Sequence, residues 1–308
     1  MNFKKKIRQF LYSKNCPDQL SFIYFRIKSR GQKSQLVSVI ETKEGLLNSI
    51  PEPQRIHWEE RIKLVLSSNN NADIPRVQSA GTIENKYLVM HNGVKIDSLS
   101  YYGLGMTQML ADNLGVHEPQ EEYVFQEVLA GMETKPNPTM LELGSYWSFY
   151  SMWMLSIFPK ANCYMVEPDK KNLFYGRKNF QINGMQGTFI HAGIGSKRDD
   201  TQNITSVDEI CKYQKIDFLD VLHSDIQGYE LEMLKGSRQM LSNGKVGYVF
   251  ISTHSNELHK ECRNTLLDYD FTEVASADLD ESYSWDGILV MRNNTYKGLK
   301  SVEIDKRK

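Results

Sequence analysis

The sequence predicts an α/β fold built on an open, mostly parallel sheet, and three apolar segments carry this prediction. Thr139–Leu143, residues 161–166 and residues 218–222 are each too short to form a helix and are typical of buried strands. Each is followed by an acid or a glycine turn and then by a helical pattern, which is the alternation expected of parallel strands joined by crossover helices. Ligands of such sheets bind beyond the carboxyl ends of the strands, so the residues that follow these segments are the first site candidates.

The first of these strands contains Glu142 and is followed by Gly144 and a helix-like segment. A helix that begins there exposes free backbone N–H groups, and the glycine lets a ligand approach them closely. A carboxylate at Glu142 repels a pyrophosphate but attracts a cationic amino-acid group. S-adenosylmethionine carries such a group and a sulfonium but no phosphate, so the turn predicts a site for this cofactor.

A second acid, Glu167, follows the next strand at the distance expected for a residue that accepts hydrogen bonds from both ribose hydroxyls. The adenosine of S-adenosylmethionine or of NAD would satisfy it. NAD sites need the pattern G-x-G-x-x-G, but residues 145–148 read S-Y-W-S after Gly144. An NAD-linked oxidoreductase is therefore the less favoured alternative, and two unrelated solvated acids are a third interpretation.

The glycine turn also carries a family pattern. The segment LELGSYWSFYS keeps an acid, a glycine, a tyrosine and a serine of the pattern E/D-x-G-A-N-x-G-x-Y-S, at Glu142, Gly144, Tyr150 and Ser151. Ser148 stands where that pattern usually has a second glycine. The segment therefore resembles the glycine turn of the FkbM family of S-adenosylmethionine-dependent methyltransferases.

Two further segments extend the resemblance over roughly the last two-thirds of the chain. The family motif of an acid, a proline and spaced asparagines is matched by Glu167, Pro168, Asn172, Asn179 and Asn183. Residues 216–236 resemble the family's fourth strand and its D-V/I-E/Q-G-x-E turn, with matches at Asp225, Gly228 and Glu230. The lysine that commonly precedes this aspartate is absent, and His223 takes its place.

The resemblance implies a Rossmann-like class I methyltransferase fold, with a seven-stranded, mostly parallel sheet and a closing antiparallel hairpin. Phe271–Ala277 and residues 288–291 are the hairpin strands, with Asp286 and Gly287 at a turn before the last one. A third strand, 187–194, would face the adenine. The implied cofactor-binding residues are Glu142, Gly144, Ser145, Tyr150, Glu167, Pro168, Gly193, Ile194 and Asp225.

A fifth predicted strand, 246–252, brings His254 to the same edge of the sheet as Asp225. Methyl transfer to oxygen needs a hydroxyl held in line with the sulfonium and relieved of its proton. His254 is the best candidate base, and it also forms with Asp225 a candidate ligand pair for Mg or Mn. Glu230 is a further catalytic candidate. The alternatives are a structural histidine at a strand end and a glutamate that caps its own turn.

The first part of the chain, residues 1–115, is predicted to form a small α+β accessory region before a methyltransferase domain of residues 116–308. Residues 53–66 predict a helix, and residues 74–96 predict strands with a hairpin turn at Asn92 and Gly93. This region either shapes the acceptor pocket, mediates formation of a homo-oligomer or covers one end of the sheet.

Five residues are candidates for the acceptor site. Tyr102, beside a glycine, is expected to stack on a sugar. His117, Glu118 and Gln120 resemble an E-P-x-x-x motif that borders the cofactor and acceptor in related methyltransferases, although a proline and acids at a helix start explain the same pattern. Asn256 places an amide near the predicted edge of the sheet.

Composition excludes several classes of partner. The net charge is −1, and no block of basic residues extends beyond residues 4–6, which argues against nucleic-acid binding. The sequence contains neither an apolar run long enough for a membrane span nor a signal peptide. Its four cysteines, Cys16, Cys163, Cys211 and Cys262, are widely spaced and predict reduced thiols and a cytoplasmic location.

The sequence therefore predicts an enzyme that transfers a methyl group from S-adenosylmethionine to a hydroxyl of a small polar acceptor. By resemblance, that acceptor is a sugar of a glycan or of a secondary metabolite. Three alternatives stay open: the NAD-linked oxidoreductase, a nucleotide-binding module that has lost its chemistry, and methyl transfer to nitrogen.

Overall fold

The computed structural model describes residues 20, 23–26, 28, 45–132 and 135–307, so the basic residues 4–6 and Cys16 lie outside the described part. Its bounded helices are α1 (Glu52–Leu66), α2 (Leu104–Asp112), α3 (Pro119–Gly131), α4 (Phe149–Ile157), α5 (Lys170–Ile182), α6 (Val207–Gln214), α7 (Glu230–Lys235), α8 (Arg238–Ser242) and α9 (Asn256–Asp268). Its strands are β1 (Ile83–Glu84), β2 (Tyr87–Val89), β3 (Lys95–Asp97), β4 (Thr139–Leu143), β5 (Asn162–Val166), β6 (Thr188–Ile190), β7 (Gly193–Ile194), β8 (Ile204–Thr205), β9 (Leu219–Ser224), β10 (Val246–Thr253), β11 (Phe271–Ala277) and β12 (Gly287–Asn293).

The central sheet has seven strands in the order β11-β12-β10-β9-β4-β5-β6. β6, β5, β4, β9 and β10 run parallel, whereas β12 is antiparallel to both β10 and β11. The predicted Rossmann-like methyltransferase fold with its closing hairpin is thereby confirmed. The chain builds outward from β4 in one direction and then in the other, so the ligand crevice is expected beyond the carboxyl end of β4.

Apolar residues of the parallel strands alternate between two cores, one on each face of the sheet. Met140 and Phe250 belong to one buried cluster, and their neighbours Leu141 and Ile251 belong to the other. Successive side chains of a strand point to opposite faces, and helices cover both faces here. This double burial explains why the strands are nearly continuous apolar runs that end where polar residues begin.

The predicted third strand, 187–194, is wrong as a single strand. Only Thr188–Ile190 joins the central sheet, beside β5, whereas Gly193–Ile194 pairs with β8 outside it. The chain leaves the sheet at His191, whose ring contacts the Pro168 carbonyl at 3.0 Å and whose own carbonyl accepts a hydrogen bond from the Asn203 side chain at 3.0 Å. Apolar residues continue through this break, so periodicity alone did not reveal it.

The first part of the described chain forms α1, a three-stranded antiparallel meander and α2. The predicted helix and the turn near Gly93, whose N–H donates to the Met90 carbonyl at 3.0 Å, are confirmed. The strand prediction for 74–96 resolves into three short strands. Trp58 of α1 packs directly on Gly105 of α2, where an added Cβ would lie 2.2 Å from the indole. Trp58 and Leu88 of the meander belong to the same core as one face of the central sheet.

In the described part of the chain, no helix combines the length and the apolar character needed to cross a membrane.

Candidate active site

A cavity of about 830 Å³ opens at the carboxyl ends of β4, β5 and β9. It is lined by these residues that the sequence predicts to bind the cofactor: Gly144, Glu167, Pro168, Gly193, Ile194 and Asp225. The other predicted cofactor residues line a smaller adjoining pocket, which shares Gly144 and Asp225 with the cavity: Glu142, Ser145 and Tyr150. The structure therefore brings the predicted cofactor residues to one place, around the turn after β4.

Gly144 is required by packing within the protein. Its φ is +69°, and a Cβ there would lie 1.8 Å from the backbone oxygen of Asp225. The N–H of Asp225 donates to the carbonyl of Leu143, and the N–H of Ser145 donates to the carbonyl of Val166, each at 3.0 Å. The turn is thus held against the ends of both neighbouring strands, which fixes the position of Asp225 relative to the cavity.

Ser148, at the place of the family's second glycine, begins α4 with a left-handed backbone at φ 61°. Its side chain is fully buried. Gly176 leaves the necessary space, because a Cβ at that position would lie 2.5 Å from the Ser148 Oγ. The serine therefore adopts the backbone conformation that a glycine favours, at the cost of strain in a non-glycine residue.

Two buried acids flank the turn. Glu142 is 3% exposed, and its Oε2 accepts a hydrogen bond from the N–H of Ser151 at 3.2 Å. Glu167 is 4% exposed, and its two oxygens accept from the N–H groups of Tyr146 at 3.1 Å and Asp169 at 2.8 Å. Burial raises the pKa of each acid to about 7, although these hydrogen bonds act in the opposite direction. Both carboxylates are therefore poorly stabilised as anions in the protein alone.

These groups fit S-adenosylmethionine. Buried carboxylates gain most from a ligand that brings positive charge or hydroxyl donors, and this cofactor has a sulfonium, an ammonium and two ribose hydroxyls. The Oγ of Ser145 is buried and lacks a hydrogen-bond partner among the described residues, so it is available to a polar group of the ligand. Pro168 and Ile194 provide apolar surface in the same cavity.

A charged cluster lies beside this cavity. The Nε2 of His254 is 3.3 Å from the Oδ1 of Asp225 and 3.4 Å from the Oδ1 of Asp286, and its Nδ1 is 3.0 Å from the Oε1 of Glu230. Burial lowers the pKa of His254, but the carboxylates outweigh it and raise the pKa to about 10. Burial and the nearby carboxylates raise the pKa of Asp286 to about 7. His254 therefore carries its proton near neutral pH, and the groups of the cluster that can accept a further proton are its carboxylates.

Glu230 caps the turn that precedes it, which is the structural alternative to a catalytic role. Its Oε1 accepts from the N–H of Ile226 at 3.3 Å and from the N–H of Gly228 at 3.2 Å. The same oxygen contacts His254, and the residue is completely buried. Glu230 thus joins the shape of the turn after β9 to the position of the imidazole.

The start of α3 holds a second buried charged group. His117 contacts Glu118 through Nε2 at 3.0 Å and Glu122 through Nδ1, and Glu122 also lies 3.2 Å from the Nε2 of His91. Burial lowers the pKa of His117, but the two carboxylates outweigh it and raise the pKa to about 10. The hydroxyl of Tyr150 donates to the Oε2 of Glu118 at 3.4 Å. In the sequence, Glu122 was one of the acids explained by helix-start chemistry alone, so its contacts with two histidines were missed.

His223, which replaces the family's common lysine, is also paired. Its Nε2 lies 2.6 Å from the Oε1 of Glu121, and the other oxygen of Glu121 accepts from the Ser252 hydroxyl at 3.0 Å. Burial lowers the pKa of His223, but the hydrogen bond to Glu121 contributes to an overall rise. The histidine thus places a group that can carry positive charge against a buried glutamate.

The predicted acceptor residues do not all meet at the cavity. Tyr102 lines it and is 49% exposed. Gln120 instead holds other parts of the chain, because its Oε1 accepts from the N–H of Tyr283 at 2.8 Å and its Nε2 donates to the carbonyl of Asp305 at 2.6 Å. Asn256 donates to Asp280 at 2.8 Å and does not line the cavity. His117 and Glu118 line the smaller adjoining pocket.

Asp286 is the main residue that the sequence analysis missed, since it was used only as a turn residue. The available signal was an acid directly before the last strand. That strand is antiparallel to β10, so its beginning meets the carboxyl end of β10 and Asp286 lies beside His254. Among the described residues, no group of three or more histidine, cysteine or acidic side chains is arranged to hold a metal ion.

Comparison with solved structures found low-identity similarities. The M. capricolum TrmK complex with S-adenosyl-homocysteine has 14% identity and a TM-score of 0.40, covering 59% of this chain and 71% of that one. The METTL16 MTase domain has 11% identity and a TM-score of 0.44, with the same coverages of 59% and 71%. The precorrin-6y C5,15-methyltransferase of Geobacter metallireducens has 11% identity and a TM-score of 0.40, covering 56% and 88%. These identities are too low to transfer an acceptor to this chain.

None of the curated proteins in the comparison matches the chain. The methyltransferase FkbM domain matches residues 107–273, which is more than half of the sequence. This match covers α3, the turn after β4, both buried acids, and Asp225, Glu230 and His254 of the charged cluster, whereas Asp286 lies beyond it. It favours the methyltransferase prediction over the NAD-linked alternative. The chain therefore belongs to the FkbM family of S-adenosylmethionine-dependent methyltransferases.

Proposed function

We propose that the protein transfers the methyl group of S-adenosylmethionine to a hydroxyl of a small polar acceptor, a sugar of a glycan or of a secondary metabolite. The observation that carries the proposal is the cluster of His254, Asp225 and Asp286 beside the cofactor cavity. A hydroxyl is a poor nucleophile while it keeps its proton, so its methylation needs groups that orient it and accept that proton.

The cofactor residues support the first half of this function. Glu167 lines the cavity and is the proposed acceptor of hydrogen bonds from the ribose hydroxyls, and Glu142 in the adjoining pocket is the proposed negative charge for the amino-acid part. Gly144 and Ser145 form the turn between them. When bound, the cofactor supplies a methyl group attached to a positively charged sulfur. After the transfer, that sulfur is part of a neutral thioether, which is the leaving group.

The charged cluster supports the second half. Asp225 belongs to both the cavity wall and the cluster, so an acceptor oxygen near the methyl group would also lie near His254. In the transfer, a bond forms between the acceptor oxygen and the methyl carbon as the carbon–sulfur bond breaks. The hydroxyl proton passes to a carboxylate of the cluster, while the protonated imidazole of His254 between Asp225 and Asp286 holds these side chains in place and stabilises their charge.

Methyl transfer from labelled S-adenosylmethionine to a panel of glycosides tests the proposal, with MgCl2 or EDTA added in parallel. His254→Gln should lower kcat by about 100-fold or more, the scale of general acid–base catalysis. It should leave affinity for S-adenosylhomocysteine nearly unchanged, because His254 does not line the cofactor cavity. The control is Asp200→Asn, whose side chain is 75% exposed in an ion pair with Arg198.

Two results would contradict the proposal in different ways. Binding of S-adenosylhomocysteine without transfer to any hydroxyl would favour a module that has lost its chemistry or an enzyme that methylates nitrogen. Full activity of His254→Gln would show that the cluster does not handle the proton.

A further inference from the structure

Trp285 differs from the other tryptophans of the chain in its exposure. It is 38% exposed, whereas Trp58, Trp147 and Trp153 are at most 9% exposed. It directly precedes Asp286, whose carboxylate lies 3.4 Å from His254. A large ring is therefore open to solvent next to the cluster that an acceptor must reach.

The indole of Trp285 is held by helix α1. The ring of His57 stacks on it with centroids 4.3 Å apart and planes 24° apart, and the guanidinium carbon of Arg61 lies 3.8 Å from its centroid. Trp58 packs against it at 5.6 Å with a tilt of 42°. His57 and Arg61 are four residues apart and therefore lie on one side of the helix. The indole nevertheless stays 38% exposed, so part of its surface is open to a ligand.

Arg61 is a buried cation that packs on the indole of Trp285. It is 3% exposed, its Nε has no hydrogen-bond partner, and no ion pair to it is found among the described residues. A buried cation without an ion pair is stabilised by the face of an indole and by carboxylates farther away. Consistent with this, burial acts to raise the pKa values of Glu118 and Asp286, and the charge of Arg61 acts against this rise in both residues. The stack of His57, Arg61 and Trp285 is thus close enough for the charge of Arg61 to act on Glu118 and Asp286.

We propose that Trp285, backed by His57 and Arg61, is the platform on which the ring of a pyranose acceptor stacks. This inference rests on the proposed function, and it names the pyranose ring as the feature of the acceptor that is recognised. The C–H groups of one pyranose face are apolar and pack on an indole, while the hydroxyls project from the edge of the ring. A hydroxyl on that edge would then lie near Asp286, the residue that follows Trp285.

The test measures binding to the protein saturated with S-adenosylhomocysteine, so that no turnover is needed. The probes are the methyl glycopyranosides of glucose, galactose and fucose, and D-glucitol serves as a polyol without a ring. Saturation-transfer NMR gives the affinity. Trp285→Ala should weaken glycoside binding by about 5- to 100-fold, the scale of stacking on an aromatic ring. Trp285→Phe should recover most of it.

The control variant is Leu267→Ala, which removes an exposed apolar side chain of 41% exposure on α9. Unchanged affinity for S-adenosylhomocysteine shows that a variant is folded. Tryptophan fluorescence of the unaltered protein is a second measurement, and a change on glycoside addition is expected because Trp285 is the exposed indole. The proposal is overturned if no glycoside binds, if D-glucitol binds equally well, or if Trp285→Ala binds glycosides as the unaltered protein does.

Transfer assays separate this inference from the proposed function. Glycoside binding that depends on Trp285 without any methylated product supports the platform and counts against hydroxyl methylation. A methylated hydroxyl product whose formation has the same KM in Trp285→Ala supports the function and rejects the platform.

Discussion

Replacing Glu142 by glutamine is expected to stabilise the cofactor-free protein near pH 8 and to weaken its affinity for S-adenosylhomocysteine. Glu142 is 3% exposed, and it accepts a hydrogen bond from the N–H of Ser151 at 3.2 Å. Burial raises its pKa from 4.5 to about 7, and the nearby His223 offsets only part of this rise. Above that pKa the folded protein contains a charge that water would solvate better in the unfolded chain.

The sign and size of the effect follow from the two pKa values. Between 4.5 and about 7 the folded state keeps the proton that the unfolded state loses, so the contribution of Glu142 to stability falls as the pH rises. A pKa difference of one pH unit corresponds to about 1.4 kcal/mol, which gives a cost of about 3 kcal/mol once both states are ionised. Glutamine carries no charge and keeps an acceptor oxygen, so Glu142→Gln should gain about 1–3 kcal/mol near pH 8.

Urea unfolding near pH 8 and near pH 5 measures this difference, and the gain should shrink to about a quarter of its size at the lower pH. Glu261→Gln on α9 is the control, because that side chain is exposed. Titration with S-adenosylhomocysteine should show weaker binding by Glu142→Gln. A variant that is no more stable than the unaltered protein near pH 8, or one stabilised equally at both pH values, would refute the reasoning.

Affinity for S-adenosylhomocysteine should rise between about pH 6 and 8, because burial raises the pKa of Glu167 to about 7 and its ionised form is the better acceptor for ribose hydroxyls; calorimetric titration measures this. Gly144→Ala should lower the free energy of unfolding by more than about 3 kcal/mol, since the new Cβ would lie 1.8 Å from a backbone oxygen. Gly184→Ala should cost only about 1 kcal/mol, because it has a similar φ of +64° but open space. Asp220→Asn should cost about 1–3 kcal/mol in urea unfolding and leave cofactor affinity unchanged, because it removes the charge of a buried carboxylate that pairs with the partly exposed Lys135 at the amino end of β9.

A specific result would contradict each of these predictions. An affinity that does not change with pH, or a change that is as large in Glu167→Gln as in the unaltered protein, would remove Glu167 from the ribose site. Equal costs for the two glycine substitutions would mean that the close approach to Asp225 does not matter. A loss of cofactor binding in Asp220→Asn would show that the two ends of the sheet are not independent.

The sequence predicted the structure best where a strand or a turn requires a particular type of residue. The apolar run before Gly144, and the acid, proline and asparagines after β5, predicted strands and turns that the structure contains. It failed at residues 187–194, because an apolar run has the same appearance whether or not the backbone stays in the sheet. The Asn203 side chain, which holds the chain at that break, is distant in sequence and had no reason to be linked to it.

The sequence alone determined the class of fold, the edge of the sheet at which ligands bind and the acids around the turn after β4. These follow from local preferences of strands and turns and from the rule that parallel strands place their carboxyl ends together. Only the tertiary structure decided that Asp286 joins His254 and that α1 supports Trp285 beside them. Such contacts join residues that are far apart in the chain, and they form through packing and burial that no single segment specifies.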